Sequence, residues 1–213
     1  MVFRPVFRPL FHGAALVEAR SLEFQWFPGF AVSQKQRSIA ALHAAAGAIG
    51  IAKPLEISSK STFSAGVAAS AFNLTFLSGD GRTLTVESAF QSSKCFESGG
   101  PFLDMLEMAP RDAKRDPRLT SSGRLVGFDF LGTTWDLEPK TAFYDWTYVR
   151  ALRASNLADE ILSYDGFTDI EFNPAKSINC QAYSAALFCS LQRRGVLDAA
   201  MASKAAFLAT VQY

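Results

Sequence analysis

Glu87, Gln91 and Lys94 stand at i, i+4 and i+7, so a helix through them would set a carboxylate, an amide and an ammonium on one face. Such a face can do acid–base work: a carboxylate stabilises a developing cation or takes a proton, and a lysine whose pKa falls on burial can return one. The plainer alternative is a solvated face with Glu87 near a helix N-terminus, and spacing does not choose between the two. Asp169 and Glu171 alternate with Ile170 and Phe172, the pattern of a strand that shows both acids to one side. A second carboxylate is therefore available, as cleavage of a glycosidic bond requires. Trp146, beside Tyr144 and Tyr148, is either a core residue or an indole on which a purine can stack, a contact worth about 1–3 kcal/mol.

Pro110 to Arg118, PRDAKRDPR, sets Arg111, Lys114, Arg115 and Arg118 against Asp112 and Asp116. Such a run is ordinarily an exposed charged helix. With Arg4 and Arg8, or with Arg193 and Arg194, it could instead grip phosphates. The sequence has no G-x-G-x-x-G after a strand, no G-x-x-x-x-G-K-[ST], no G-x-S-x-G and no H-E-x-x-H. Cys95 adjoins Lys94 but has no histidine near it in sequence, which gives a thiol nucleophile little support. Three cysteines (Cys95, Cys180, Cys189) without C-x-x-C, and two histidines (His12, His43), make no zinc ligand set; neither a metal nor a cofactor is expected.

The elements that must position these side chains fit one domain. A chain of 213 residues, 49% hydrophobic and 19% charged, can fill a sizeable core and is not a disordered chain. Its 21 basic and 20 acidic residues leave a net charge of +1, so any polyanion must be met by a local patch. Residues 1–22, with VFRP at 2–5 and again at 6–9, read as an extended N-terminal arm, because Pro5 and Pro9 discourage helix. Residues 23–213 read as the domain. Glu23–Phe27 is expected as a strand, and a helix capped by Ser33 carries Ile39, Leu42, Ala46 and Ile49 at helical spacing. Strands are expected over Leu55–Ser58 and Phe72–Leu77, with Ser78-Gly79-Asp80-Gly81 turning into Arg82–Val86.

Helices follow over Glu87–Phe96 and through Leu103 and Leu106. A helix over Lys140–Arg153 carries Phe143, Trp146, Val149 and Leu152, and a late strand runs over Thr168–Phe172. Asn179–Arg194 and Asp198–Val211 close the fold. A small sheet in the first half plus a late strand, packed by helices, is an α+β domain that is mainly helical. The N-terminal sequence lacks the apolar run of a signal peptide or membrane span, so a cytoplasmic protein with reduced thiols is expected.

The string VESAFQSSKCF (86–96) resembles the "Ser-Glu-His-Tyr-Phe-Gln-Ala-Gln-Lys" element of the NADAR (YbiA-like) family, matching at Glu87, Phe90, Gln91 and Lys94. PRDAKRDPR resembles that family's "Pro-x-x-Ala-Lys-x-x-x-Arg" element, and ASAFN (69–73) its "Leu-Ser-Asn-Phe" segment, with Ala71 where the family has asparagine. YDWTYVRAL (144–152) is similar to its tryptophan-bearing helix and SINCQAYSAALF (177–188) to its last core helix. FNPAKS (172–177) stands where the family has "Asp-x-x-Trp-Gly". The longer strings EFQWFPGFAVSQKQRSIAALH, EISSKS, LEPKTAFYDW and YDGFTDIEFNPAKSINCQA resemble the branch encoded with DarT-type toxins.

The resemblance implies an antitoxin enzyme that removes ADP-ribose from guanine bases of DNA by metal-independent hydrolysis of the N-glycosidic bond. It implies Glu87, Lys94, Trp146 and Glu171 as catalytic, with Glu171 preferred to Asp169 because it matches an acid of the family's "Leu-Val-Glu" strand. Ser70, Phe90, Gln91 and Asn179 are expected as further substrate contacts, and by residue type Ser58, Lys60, Arg111, Lys114 or Arg118 could hold the diphosphate. The partners it implies are ADP-ribosylated DNA as substrate and a DarT-type toxin. Two rivals stay open: a non-catalytic module binding modified DNA or the toxin, and an N-glycosidase acting on a small ADP-ribosyl compound.

Overall fold

The computed structural model describes residues 1–175 and 177–211; Lys176, within FNPAKS, and Gln212 and Tyr213 lie outside them. Strands β1 (Val2–Pro9) and β2 (Val17–Phe24) are followed by α1 (Val32–Ala48), β3 (Pro54–Glu56), α2 (Ser64–Ala68), β4 (Thr75–Leu77), β5 (Thr83–Thr85) and α3 (Val86–Ser92). Next come β6 (Lys94–Phe96), a 3-10 turn (Leu103–Glu107), α4 (Pro110–Ala113), α5 (Arg118–Ser121), β7 (Leu125–Phe130) and β8 (Thr133–Trp135). The chain closes with α6 (Ala142–Ala154), α7 (Ala158–Ile161), β9 (Gly166–Thr168), α8 (Gln181–Arg193), α9 (Leu197–Ala200) and α10 (Lys204–Val211). This is the expected α+β class, with three small sheets rather than one.

The main sheet has the order β2-β1-β9-β3, with β3 and β9 parallel and the other pairs antiparallel. The segment expected as an arm is thus a hairpin in the sheet, with Val2 opposite Phe24 and Pro9 opposite Val17. Its prolines are tolerated because β9 bridges β1 only at Phe7, so they interrupt no long ladder on that side. Arg194, which follows the end of α8, fastens the hairpin loop by donating to the carbonyls of Leu10, His12, Gly13 and Ala15 at 2.5–3.1 Å. That guanidinium is therefore structural rather than a phosphate ligand. Among the described residues, no helix is long and apolar enough to cross a membrane.

Two cores result. Val6, Phe24, Ile39, Leu42, Ala46, Ile51 and Ile170 seal α1 against the sheet. The larger one is built on aromatic side chains of α6: Phe143 lies 5.0 Å from Phe128, 5.7 Å from Trp135 and 6.1 Å from Phe90 of α3. Every residue of α3 is buried, polar ones included. Polar side chains in so apolar a setting need partners, and the partners they find define the site.

Candidate active site

Segments from along the chain enclose a cavity of about 310 Å³. The chain after β3 gives Ser58 and Ser59, and the α2–β4 loop gives Ser70 and Phe72. Glu87, Phe90 and Gln91 come from α3, and Lys94 from the start of β6. The stretch from β9 to α8 adds Asp169, Glu171, Phe172, Asn179 and Gln181, while Tyr144 of α6 and Lys114 complete the wall.

Thr85 starts α3 by accepting the Ser88 N–H at 3.1 Å, and the Glu87 N–H bonds the Ala71 carbonyl at 2.9 Å, so the first turn is fixed from both sides. Glu87 is 4% exposed. One turn on, Gln91 donates through Nε2 to Glu87 Oε1 at 2.8 Å, as the i, i+4 spacing predicts. Lys114 reaches the same oxygen at 3.4 Å from the mouth. Lys94 joins them by a different route from the one expected. The helix ends at Ser92, where Ser92 and Ser93 hydroxyls bond back to the Ala89 carbonyl at 3.1 and 2.6 Å, and Lys94 opens β6 opposite Phe128. Its ammonium lies 4.9 Å over the Phe90 ring. Burial lowers the Lys94 pKa to about 8; Glu87 opposes the shift and Lys114 adds to it.

Facing them, Asp169 follows the end of β9. It accepts the N–H groups of Glu171 and Phe172 at 3.0 and 3.1 Å, a local turn that ends the strand earlier than expected. Asp169 and Glu171 therefore do not share a strand face. Asp169 is buried, whereas Glu171 is exposed and pairs with Lys35 at 3.4 Å. Behind Asp169, Glu56 is enclosed and accepts from Thr168 Oγ1 at 2.6 Å and the Ile170 N–H at 2.8 Å; His43 Nε2 meets the same threonine hydroxyl at 2.9 Å. Burial raises the pKa of both acids, Asp169 to about 8 with the Glu56 charge as the second cause. Asp169 thus holds its proton through most of the neutral range, with the Glu56 carboxyl facing it.

Three further polar atoms at the cavity are buried without a hydrogen-bond partner among the described residues: Ser70 Oγ, Gln91 Oε1 and Asn179 Oδ1. Native interiors leave few such atoms, so they mark a place for ligand hydroxyls or amides.

Among the residues singled out in the sequence, Ser58, Ser70, Glu87, Phe90, Gln91, Lys94, Lys114, Glu171 and Asn179 line this cavity. Trp146, Lys60, Arg111 and Arg118 do not. Two residues along an α-helix is about 200° of rotation, so with Tyr144 on the cavity Trp146 points the other way. It packs 5.3 Å from Trp135 and 6.5 Å from Phe130. Lys60 contributes its backbone N–H to Ser58 Oγ. Arg111 is exposed, and Arg118 is held by Asp104 and Asp116. Tyr144 and Gln181 are site residues that the sequence reading did not select. Gln181 accepts the Ala71 N–H at 2.8 Å and donates to the Ile57 carbonyl at 2.6 Å, joining segments more than 100 positions away in sequence. No local pattern signals it.

Cys95 gains no activation, since burial and then Asp129 raise its thiol pKa. The cavity brings together a buried carboxylate, a lysine of lowered pKa and unpartnered polar atoms, an arrangement that can do acid–base chemistry on a polar ligand. The sequence matches the family described as DarT1-associated NADAR antitoxin over residues 2–213, and the chain belongs to that family. No curated protein matches it.

Proposed function

We propose that the chain is a glycohydrolase that removes ADP-ribose from guanine bases of DNA modified by a DarT-type toxin, and that it is the toxin's cytoplasmic antidote. Glu87 carries this reading: a buried carboxylate at the cavity, oriented by Gln91 and Lys114. Breaking the bond from ribose C1'' to the guanine amino nitrogen builds positive charge at C1'' and O4''. A carboxylate in a water-poor cavity stabilises that charge and can align the attacking water. Lys94, in its ammonium form, gives the departing nitrogen its proton. Asp169, held partly protonated with Glu56, replaces Glu171 as the second acid. Gln91 Oε1 and Asn179 Oδ1 are free to accept from ribose hydroxyls, and the Ser70 hydroxyl is free to donate to a phosphate oxygen, while Phe72 and Phe172 offer faces for the base in place of Trp146.

The lowered Lys94 pKa favours a second role for the same residue. A neutral amine can attack C1'' itself, forming a C–N bond as the bond to guanine breaks and passing its extra proton to the departing amino nitrogen; the glycosylamine opens to an imine, which water hydrolyses to ADP-ribose and the free lysine. The two roles are separated by pH below.

The test is incubation of the protein, and of Glu87→Gln, with an oligonucleotide carrying ADP-ribose on guanine, followed by mass spectrometry. Release of ADP-ribose by the wild type, with a loss of at least about 100-fold in Glu87→Gln, is expected. Intact substrate bound by both proteins would overturn the enzyme reading and favour a binding module. Equal turnover of ADP-ribosyl guanosine and the oligonucleotide would favour the small-substrate enzyme.

A further inference from the structure

EFQWFPGFAVSQKQR, among the longest strings of the resemblance, places no side chain in the cavity. It builds a surface beside it. Trp26 carries two cations, Lys35 Nζ 4.9 Å and the Arg4 guanidinium 5.5 Å from its ring centre. Arg37 lies 4.0 Å over Phe27, and Phe30 is fully exposed at 101%. Lys35 also pairs with Glu171, whose other neighbour is the cavity, so the surface runs into the mouth without a break. Arg4 Nε is buried with no hydrogen-bond partner among the described residues.

We propose that Arg4, Trp26, Phe27, Phe30, Lys35 and Arg37 form a track for the single-stranded nucleic acid that flanks the modified base. The proposal rests on the reading that this base is presented on DNA. Aromatic faces interleaved with cations are the chemistry of sequence-tolerant strand binding: rings take bases, and guanidinium and ammonium groups take phosphates. Three cations meet one acid here in a chain whose net charge is only +1, so the basic character is local to the cavity's edge. The loop is already fixed for the task. Phe27 N–H donates to Ser38 Oγ at 3.0 Å, Gln34 Oε1 accepts the Ala31 N–H at 3.2 Å, and Gly29 takes a φ of +133° that few side chains tolerate. A strand entering the cavity with its modified base would have neighbouring nucleotides within reach of this surface.

The experiment measures binding of an unmodified fluorescent single-stranded 12-mer by anisotropy, and cleavage of an ADP-ribosylated 12-mer beside ADP-ribosyl guanosine. Phe30→Ala and Arg37→Gln alter exposed side chains, and Trp26→Ala is read against Trp26→Phe as its aromatic rescue. About ten-fold weaker 12-mer binding is expected in Phe30→Ala and Trp26→Ala, with Trp26→Phe near wild type. The log–log salt dependence of Arg37→Gln should be shallower by about 0.7. Cleavage of the modified 12-mer should fall through KM, with turnover of the mononucleoside, too short to reach the track, as the reference. Unchanged 12-mer binding in Phe30→Ala, Trp26→Ala and Arg37→Gln, or equal losses on both substrates, overturns the track, as does loss of toxin binding with strand binding intact. If the wild type cleaves neither substrate, the glycohydrolase reading fails while the binding arm still judges the track.

Discussion

Lys94 is where the chemistry of the site is most finely set. Its side chain is half-buried between the Phe90 ring and the Glu87 carboxylate, with Lys114 nearby, and the resulting pKa of about 8 lies within reach of cellular pH. The two roles proposed for it have opposite pH signatures. A proton donor works in the ammonium form, so kcat should fall as pH rises through about 8; a nucleophile works as the free amine, so kcat should rise over the same interval. Profiles of wild type from pH 6 to 9.5, with borohydride added during turnover, separate them: a trapped 1:1 adduct with a rising limb selects the nucleophile. A falling limb without adduct selects the donor, and Lys94→Arg should then keep a small part of the activity while Lys94→Met keeps none. A wild-type profile flat through this range, with activity kept in Lys94→Met, would remove Lys94 from the chemical step.

At the scale of elements, the site depends on Gln181 at the start of α8. Its amide satisfies Ala71 N–H and Ile57 C=O, which lie in the loop before β4 and just after β3. Gln181→Ala leaves both backbone groups buried and unpaired, at about 1–3 kcal/mol each. We expect a loss of about 2–4 kcal/mol in urea unfolding. Destabilisation under 1 kcal/mol would show that the two segments hold their places without it. This also marks how far the sequence could be read. The Glu87–Gln91 contact and the Ser78–Gly81 hairpin are local, set by a period and a turn type, and both were legible. Lys94 was found through the wrong element, because the serine back-bonds that end α3 early are not visible in apolar periodicity. Trp146 takes the core place that its stripe with Phe143 offers, and only the resemblance pointed it to the site. Short strands such as β6 and β8, three residues each, carry too little pattern to be seen before their partners are known. The place of the N-terminal hairpin was equally hidden, since Phe167 and Arg194, which fasten it, lie far along the chain.

For the molecule as a whole, keeping ionisable groups beside a ligand cavity makes stability depend on pH in two opposed ways. Asp169 has a folded pKa raised to about 8 by burial and then by Glu56, against an ordinary value near 3.8. Its favourable contribution is complete below pH 4 and is lost as pH rises to 8, because over that interval the unfolded chain gives up a proton that the folded protein keeps. Glu56, also raised, acts in the same direction. His43 is lowered by burial to about 4 from 6.5, so its contribution is complete above 6.5 and is lost as pH falls toward 4. Between pH 4 and 6.5 the histidine opposes the acids. From 6.5 to 8 the histidine no longer opposes, and Asp169 sets the direction. Melting temperature should therefore decline between pH 6.5 and 8, and Asp169→Asn, which removes one titrating member and the like charge facing the other, should flatten that decline. An equally steep decline in Asp169→Asn would place the titration elsewhere. In that case Asp169 would not hold the proton that its role as second acid depends on, and that role would fall away while the proton from Lys94 stood.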